Sequence, residues 1–386
     1  MITLNNNTVI GFNKPYLTGK ELHNIADAHQ RGKLSGDGAY TRLCSEWLER
    51  TTGANKVLLT HSCTSALDMA AMLANIQSGD EIIMPAYTFV STANAFVLRG
   101  GVPVFVDIRP DTLNIDETLI EAAITDRTRA IVPVHYAGVG CEMDTIVQIA
   151  ERHGLLVIED AAQGVMSSYK GRALGTIGQM GAYSFHETKN VISGEGGALL
   201  INDPNQISRA EIIREKGTNR SKFLRGQVDK YTWLDIGSSY LPGEIIAAFL
   251  WAQLERADFI LDKRLQLWNR YHEAFKQLEV DGRLSRPFVP VECRHNAHMY
   301  YLILKDLYDR TSFIEMMEQV GINCVFHYVP LHSSPFGQQN SKSFGNLKVT
   351  DDASSRLVRL PMWLGLDTFQ ERVIESAMTI LLKAVR

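Results

Sequence analysis

Short apolar runs alternate with helical stretches through the first part of the chain. Five runs have the length and composition of buried strands: KVLLT (56–60), EIIMP (81–85), VPVFVDI (102–108), RAIVPVHY (129–136) and LLVIEDAA (155–162). The stretches with helical patterns between them are 64–76, 91–99, 115–124 and 143–153. Strands of nearly continuous apolar residues, each followed by a helix, predict an α/β fold with a mostly parallel sheet covered on both faces.

The pattern changes after about residue 245. A long helical pattern runs from Glu244 to about Leu278 and leads into a stretch punctuated by proline, 286–290. The remaining chain predicts short strands and helices, at 298–304, 311–320, 323–329 and 368–384. A chain of 386 residues is too long for one small core. We therefore predict a large α/β domain over 1–250 and a small α+β domain over 251–386.

The composition is that of an ordinary soluble globular protein, with 45% hydrophobic and 21% charged residues. The net charge of -4 argues against general attraction to nucleic acid or to an anionic membrane. No apolar run approaches the roughly 18 residues that span a bilayer, and the first residues lack the pattern of a secretion signal. The five scattered cysteines fit reduced thiols. We expect a cytoplasmic protein that binds neither nucleic acid nor membrane.

In an open α/β sheet, ligands bind at the carboxyl ends of the strands, so the residues that follow each strand are the candidates for chemistry. The first strand is followed by HSCTSALDMA (61–70), whose small hydroxylated residues could either cap a helix or expose backbone N–H groups to a phosphate. Tyr87 and Phe89 follow the second strand. An aromatic ring there could lie on a planar ligand or simply belong to the core.

Two charged residues lie at later strand ends. Asp160 ends a buried strand, where a carboxylate is costly unless it meets a positive partner or caps a helix. Gln163 would face the same side if a helix starts there. Lys189 follows a strand that ends near Ser184. A phosphate site, a flat aromatic ring, a buried acid and a lysine at one sheet edge are together what pyridoxal 5'-phosphate (PLP) requires.

The motifs resemble those of the DegT/DnrJ/EryC1/StrS family of sugar aminotransferases over essentially the whole chain. The matching motifs stand in the family's order: GDG, SCTSAL, PAYTFVSTANA, FVDIRPDTLNID, PVHYAG, EDAAQG, GTIG, SFHETKN and GEGGAL. The resemblance implies the fold-type I architecture, in which a mostly parallel, seven-stranded-type mixed sheet is covered by helices. It also implies an aminotransferase that uses PLP, with pyridoxamine 5'-phosphate as the intermediate form.

The resemblance also implies roles for individual residues. Lys189 would bind the cofactor covalently and act as the catalytic base, Asp160 would pair with the pyridine nitrogen, and Gln163 would bind the ring hydroxyl. Phe89 would stack on the ring, with Tyr87 as the less favoured alternative. The phosphate would be bound by the amides of Thr64 and Ser65 and the hydroxyl of Ser184.

Family members build each site from two subunits, so the resemblance implies a homodimer with shared active sites. Most relatives have Asn-Tyr-Arg before the long helix, and the asparagine reaches the neighbouring subunit's phosphate. This chain has Ser239, Tyr240 and Leu241 there, so that contact is open, although Ser239 retains a donor.

The segments FHETKN, REKGTNRSKFLRGQVDKYTW and IGSSYL narrow the resemblance to enzymes that move an amino group from L-glutamate to a nucleotide-linked sugar. The implied acceptor is dTDP-4-keto-6-deoxy-D-glucose, aminated at C4 to the 4-amino-4,6-dideoxygalactose for O-antigen or common-antigen synthesis. The 4-amino-4,6-dideoxyglucose epimer and a 3-amino sugar are the alternatives. Arg220, in a basic run that could equally be a solvated face, is our candidate for the diphosphate. His327 and His332 would lie near the sugar.

Other functions fit the sequence less well. The histidines lack the companion ligands of a zinc site, so we expect no metal. Sugar dehydratases of this fold carry histidine at the position of Lys189. A non-catalytic binding protein would not need Lys189, Asp160 and Gln163 together. A nicotinamide enzyme is disfavoured because no GxGxxG follows the first strand.

Overall fold

The structure is a computed structural model, and it describes residues 8–383. Its α-helices are α1 (Glu21–Gln30), α2 (Ala39–Thr52), α3 (Cys63–Leu73), α4 (Val90–Val97), α5 (Glu117–Ile120), α6 (Met143–His153), α7 (Ile207–Arg214), α8 (Arg220–Leu224), α9 (Glu244–Leu254), α10 (Ala257–Ala274), α11 (Lys276–Val280), α12 (Leu307–Gln319), α13 (Pro335–Asn340), α14 (Lys348–Arg356) and α15 (Gln370–Lys383). None of them combines the length and the apolar character needed to cross a membrane.

The strands form one large sheet and two small ones. They are β1 (Lys56–Thr60), β2 (Glu81–Pro85), β3 (Val102–Val106), β4 (Thr128–Ile131), β5 (Leu156–Asp160), β6 (Ser168–Tyr169), β7 (Arg172–Ala173), β8 (Met180–Ser184), β9 (Gly197–Ile201), β10 (Cys293–Arg294), β11 (Tyr300–Ile303), β12 (Val325–Phe326), β13 (Lys342–Ser343) and β14 (Leu357–Leu360).

The large sheet has the order β1-β9-β8-β5-β4-β2-β3-β13. Strand β9 is antiparallel to both of its neighbours, and every other adjacent pair is parallel. Seven of the strands come from the first 201 residues, so the predicted fold class is confirmed. The eighth, β13, is supplied by the C-terminal part of the chain and pairs with β3. Nothing in the apolar pattern predicted that edge strand.

The central strands are buried because helices cover both faces of the sheet. Successive residues of one strand enter different cores: Ile83 and Val157 pack into one cluster, whereas Ile82 and Ile158 pack into the other. Side chains alternate between the two faces of a strand, so a strand buried on both must be apolar throughout. Complete burial of each such side chain contributes about 1.5–3 kcal/mol.

The single long helix predicted from Glu244 to Leu278 is wrong, because the chain forms α9, α10 and α11 there. Helix α9 packs against α1 and α2, whereas the buried face of α10 belongs to the C-terminal core. Arg256, between them, leaves helical geometry with φ -116° and ψ 13°. The change of direction lets one apolar stretch serve two cores, and no glycine or proline marks it in the sequence.

The C-terminal part is built around the antiparallel sheet β11-β14-β12 and its own apolar core. Each part of the chain contributes residues to the core of the other. Ile10 packs into the C-terminal core, whereas Leu331 and Leu347 pack into a core beneath the large sheet. The domain boundary near residue 250 therefore stays a prediction. The arrangement places the small sheet against the carboxyl edge of the large one, where the site lies.

Candidate active site

A cavity of about 740 Å³ lies where the large sheet meets the small one. This volume suits a cofactor or a small-molecule ligand. Six residues predicted for the cofactor site line it: Thr64, Phe89, Asp160, Gln163, Ser184 and Lys189. They come from the ends of β5 and β8, from the starts of α3 and α4 and from the loop before β9, because parallel strands bring their carboxyl ends to one edge.

Asp160 is a buried carboxylate, 5% exposed, at the last position of β5. The Thr92 hydroxyl donates to its Oδ2 at 2.6 Å, and the Ala162 amide donates to its Oδ1 at 3.1 Å. No lysine or arginine among residues 8–383 forms an ion pair with it. A buried charge without a counter-ion is costly, so the site fits a cationic group such as a protonated pyridine nitrogen.

Lys189 lies in the loop between β8 and β9, which folds back on itself. The Phe185 amide bonds to the Gly196 carbonyl, and the Lys189 amide bonds to the His186 carbonyl. The next residue, Asn190, ties the loop to the C-terminal part, because its Nδ2 donates to the Asn296 carbonyl at 2.7 Å. These hydrogen bonds hold the loop so that Lys189 lines the cavity.

Burial lowers the pKa of the Lys189 amine below the ordinary lysine value of 10.5, and the nearby charge of Arg359 acts in the same direction. Asp160 and Cys63 oppose this shift. A lowered pKa increases the fraction of neutral amine near neutral pH. The neutral amine is the form that can attack a carbonyl or accept a proton.

The start of α3 offers an anion site. Ser62 is the N-cap, and its hydroxyl accepts from the Ser65 amide at 3.1 Å. The amides of Cys63 and Thr64 have no acceptor within the described part of the chain, and they lie at the positive end of the helix dipole. Thr64 lines the cavity, whereas the Ser65 amide is already bound by Ser62 and Ser65 does not line the cavity. The phosphate-binding role of both residues stays a prediction.

Phe89 and Gln163 lie on the cavity wall. Phe89 is the N-cap of α4 and is 57% exposed, whereas Tyr87 is buried outside the cavity, with its hydroxyl donating to the His327 carbonyl. Phe89 is therefore the aromatic ring that a planar ligand could meet. The Gln163 Oε1 accepts from the Ala137 amide at 2.6 Å, and its Nε2 donates to the Tyr328 hydroxyl at 3.2 Å, so the amide is held in one orientation.

Three further predicted residues do not line the cavity of this chain. Arg220, at the start of α8, donates to the buried carboxylate of Glu215 at 2.9 Å. Ser239 is exposed and was predicted to act in a neighbouring subunit. His332 lies 3.3 Å from the carboxylate of Asp351. Their assigned roles stay predictions.

His327 lines the cavity and is 8% exposed, and its position near the sugar stays a prediction. Its Nδ1 lies 2.9 Å from the Tyr136 hydroxyl. Burial lowers the pKa of His327 well below the usual histidine value, as it does for its neighbour His298. Both rings are neutral near neutral pH and can exchange hydrogen bonds without adding charge.

Sequence reasoning missed four residues of the site: Thr92, His298, Tyr328 and Arg359. Thr92 lies inside a predicted helix, and no motif in the sequence indicates that its side chain contacts Asp160. The other three belong to segments far along the chain from the large sheet. An arginine within the apolar run LVRLP was the only signal available for Arg359.

Within residues 8–383, a half-buried lysine, a buried acid that forms no ion pair and free amides at a helix start define, on this fold, a fold-type I PLP-dependent enzyme. Comparison with known proteins then gives the family. Residues 15–378 match the model of the DegT/DnrJ/EryC1/StrS aminotransferase family, and the chain belongs to that family. It is a PLP-dependent sugar aminotransferase.

The relatives agree with this assignment. The spore coat polysaccharide biosynthesis protein SpsC of Bacillus subtilis is 34% identical over 349 residues, covering 88% of this chain and 87% of that protein. GDP-perosamine synthase of Caulobacter vibrioides is 32% identical over 356 residues, covering 91% and 92%. The sugar aminotransferase Spr1654 of Streptococcus pneumoniae, in its pyridoxamine phosphate form, superposes with a TM-score of 0.89 at 25% identity, covering 97% and 99%.

Proposed function

We propose that the enzyme transfers an amino group from L-glutamate to C4 of dTDP-4-keto-6-deoxy-D-glucose. The products are dTDP-4-amino-4,6-dideoxy-D-galactose and 2-oxoglutarate, and the reaction serves cell-surface polysaccharide synthesis in the cytoplasm. The observation that carries the proposal is that Lys189 and the unpaired carboxylate of Asp160 face one cavity. The choice of sugar is supported by the segments FHETKN and REKGTNRSKFLRGQVDKYTW, and sugar chemistry by the names of the relatives.

PLP, when bound, supplies an electron-deficient ring that stabilises negative charge at the reacting carbon. Asp160 would keep the ring nitrogen protonated, and the free amides at the start of α3, with Ser184, would bind the phosphate. Gln163 would bind the ring hydroxyl, and Phe89 would cover one face of the ring, since both line the cavity. These residues would bind and orient the ring, and Lys189 would carry the proton chemistry.

Lys189 accepts the proton from the α-carbon of the amino donor and later delivers a proton to C4 of the sugar. Its lowered pKa favours the first role, because the free amine must be neutral to accept. The face from which it delivers the proton sets whether the new amine is axial or equatorial. The axial product is the galactose epimer, and the equatorial product is its glucose counterpart.

The basic run before α9 is our candidate for the nucleotide diphosphate, with Arg220 as the principal residue. Four cations of the run are engaged within this chain: Arg214 with Asp37, Lys216 and Arg220 with Glu215, and Arg225 with Glu211. Arg220 is 37% exposed, and its contact with Glu215 is made through Nη1. In the homodimer we propose, this segment and Ser239 would serve the neighbouring subunit's cavity.

The test is to incubate the purified, PLP-loaded enzyme with L-glutamate and dTDP-4-keto-6-deoxy-D-glucose and to determine the product by NMR. We expect an axial amine at C4 and equimolar 2-oxoglutarate, with no product from Lys189→Ala. An equatorial amine or amination at C3 would replace the proposed product and leave the class intact. A Lys189→Ala variant with ordinary activity would overturn the mechanism.

A further inference from the structure

Arg359 is a charged residue in the middle strand of the small sheet. Its neighbours on β14, Val358 and Leu360, pack into the C-terminal core. Side chains alternate along a strand, so Arg359 lies on the opposite face, beside its cross-strand partners Tyr301 and Val325. Arg359 and Val325 both line the cavity.

The guanidinium of Arg359 has few partners. Its Nη2 donates to the Phe326 carbonyl at 3.3 Å, and its Cζ lies 4.7 Å from the ring centroid of Phe12. Its Nε is buried without a hydrogen-bond partner in the described part of the chain, and no carboxylate of residues 8–383 forms an ion pair with it. By contrast, Arg214, which is more deeply buried, pairs with Asp37 at 2.7 Å. A partly buried guanidinium without an acid is costly unless a ligand supplies the anion.

The cavity supplies no such anion to Arg359. Two acids line it, and Asp160 is held by Thr92 and Ala162, while Glu195 is exposed beside His186. The two buried histidines of the wall are neutral. The charge of Arg359 nevertheless acts on the Lys189 amine, where it lowers the pKa, so the two groups share one electrostatic environment.

We propose that Arg359 binds the α-carboxylate of the amino-acid donor, an inference that rests on the proposed function. The donor's nitrogen must react beside Lys189, and its carboxylate is attached to the same carbon as that nitrogen. The diphosphate of the nucleotide sugar, in contrast, lies across the sugar ring from C4. An anion that reaches a guanidinium near Lys189 is therefore the small carboxylate, and the planar guanidinium can bind both of its oxygens.

The experiment measures the amino-donor half-reaction of the PLP-loaded enzyme, followed by absorbance, for Arg359→Gln and Arg359→Lys. Arg50→Gln, which removes an exposed charge on α2, is the matched control. L-Glutamate is compared with L-isoglutamine, which carries an amide in place of the α-carboxylate. We expect Arg359→Gln to lower kcat/KM for glutamate by roughly 10- to 100-fold and to leave isoglutamine nearly unchanged.

A second readout is independent of turnover. 2-Oxoglutarate keeps the α-carboxylate but cannot react with the PLP form, so its dissociation constant is measured by calorimetry. We expect roughly a tenfold or greater increase in Arg359→Gln and no change in Arg50→Gln. If Arg359→Gln does not fold, Arg359→Lys takes its place, because it keeps the charge and loses the planar fork; the same losses, smaller in size, are expected at an unchanged Tm.

The outcomes separate this inference from the function on which it rests. Unchanged glutamate kinetics and 2-oxoglutarate affinity in Arg359→Gln would overturn the role of Arg359 while the aminotransferase proposal stands. A loss confined to the nucleotide-sugar half-reaction would overturn it too and would assign the guanidinium to the diphosphate. A wild-type enzyme that no amino acid converts would instead refute the proposed function.

Discussion

At the scale of single residues, the site is built on charges that the fold leaves unbalanced. Asp160 is buried and accepts hydrogen bonds, yet it has no cation among the described residues, and Arg359 is its counterpart of opposite sign. In an ordinary core, either charge would destabilise the folded protein because it has no partner of opposite sign. Both charges fit the ligands that we propose, a cationic ring for Asp160 and an anionic substrate group for Arg359.

Replacing Asp160 with Asn should separate stability from activity. The variant removes an uncompensated buried charge and keeps the side chain's shape, so the cofactor-free protein should have an equal or higher Tm. The loaded enzyme should lose roughly 100-fold or more in kcat, because the ring nitrogen loses its counter-ion. Asp68→Asn is the control: Asp68 is a half-buried carboxylate of α3 whose pKa burial raises, and it lies outside the cavity.

Calorimetry of the cofactor-free proteins and steady-state kinetics of the loaded ones make the comparison. Asp68→Asn should gain stability and keep its activity. An Asp160→Asn variant that unfolds several degrees earlier and turns over normally would show that the carboxylate serves the fold and not the cofactor.

At the scale of elements, the anion site depends on the close approach of β9 to the start of α3. Gly197, the first residue of β9, packs directly against the backbone where α3 begins. A Cβ there would lie 2.3 Å from the Ser62 carbonyl carbon and 2.4 Å from the Cys63 nitrogen. These atoms are backbone and cannot turn away.

Gly197→Ala should therefore push the start of α3 away from the sheet. We expect a loss of about 2 kcal/mol or more in the free energy of unfolding and a weaker affinity for PLP, because the free amides lose their alignment. Gly11→Ala is the control, since the nearest atom to a Cβ there is 3.7 Å away and the backbone φ suits any residue. Denaturant titration and PLP binding measure the two effects, and equal behaviour of the two variants would contradict the packing argument.

Element boundaries show what the sequence can and cannot predict. Strands β1 and β2 match their predicted bounds because an apolar run flanked by polar residues is a local signal. The turn at Arg256 is not local, since it depends on which core each helix face meets. Strand β13 is two residues long, too short to leave a periodicity.

At the scale of the whole molecule, some site residues could be predicted from local sequence signals, whereas others depend on tertiary packing. Lys189 and Asp160 could be predicted because Asp160 ends β5 and Lys189 follows β8, and the carboxyl ends of these parallel neighbours meet at one sheet edge. His298, Tyr328 and Arg359 come from the small sheet, and their place depends on how that sheet packs on the large one. Motifs at the strand ends therefore predict the cavity residues that belong to the large sheet. Tertiary packing decides which residues of the small sheet form the opposite wall.

We propose that the protein forms a homodimer, on the basis of the family resemblance and of one exposed apolar surface. Six large apolar side chains are exposed within 14 residues of chain: Phe223, Leu224, Tyr231, Trp233, Leu234 and Ile236. In the sequence they lie between Arg220 and Ser239. A concentration of exposed apolar residues marks an interaction surface, and a second copy of the chain is the partner that would need those two polar residues.

Trp233→Lys tests this surface, because Trp233 is 78% exposed and tryptophan is a common anchor of protein interfaces. Tyr308→Lys is the matched control, an aromatic residue that is 72% exposed on α12. We expect light scattering to show dimers for the wild type and for Tyr308→Lys, and a dimer dissociation constant at least about tenfold higher for Trp233→Lys.

The activity of the enzyme should fall upon dilution as the dimer dissociates, because a monomer lacks the neighbour's contacts to nucleotide sugar. A monomeric wild type with full activity would remove the reason to place Arg220 and Ser239 in a shared site, and the search for the diphosphate ligands would return to the cavity of a single chain.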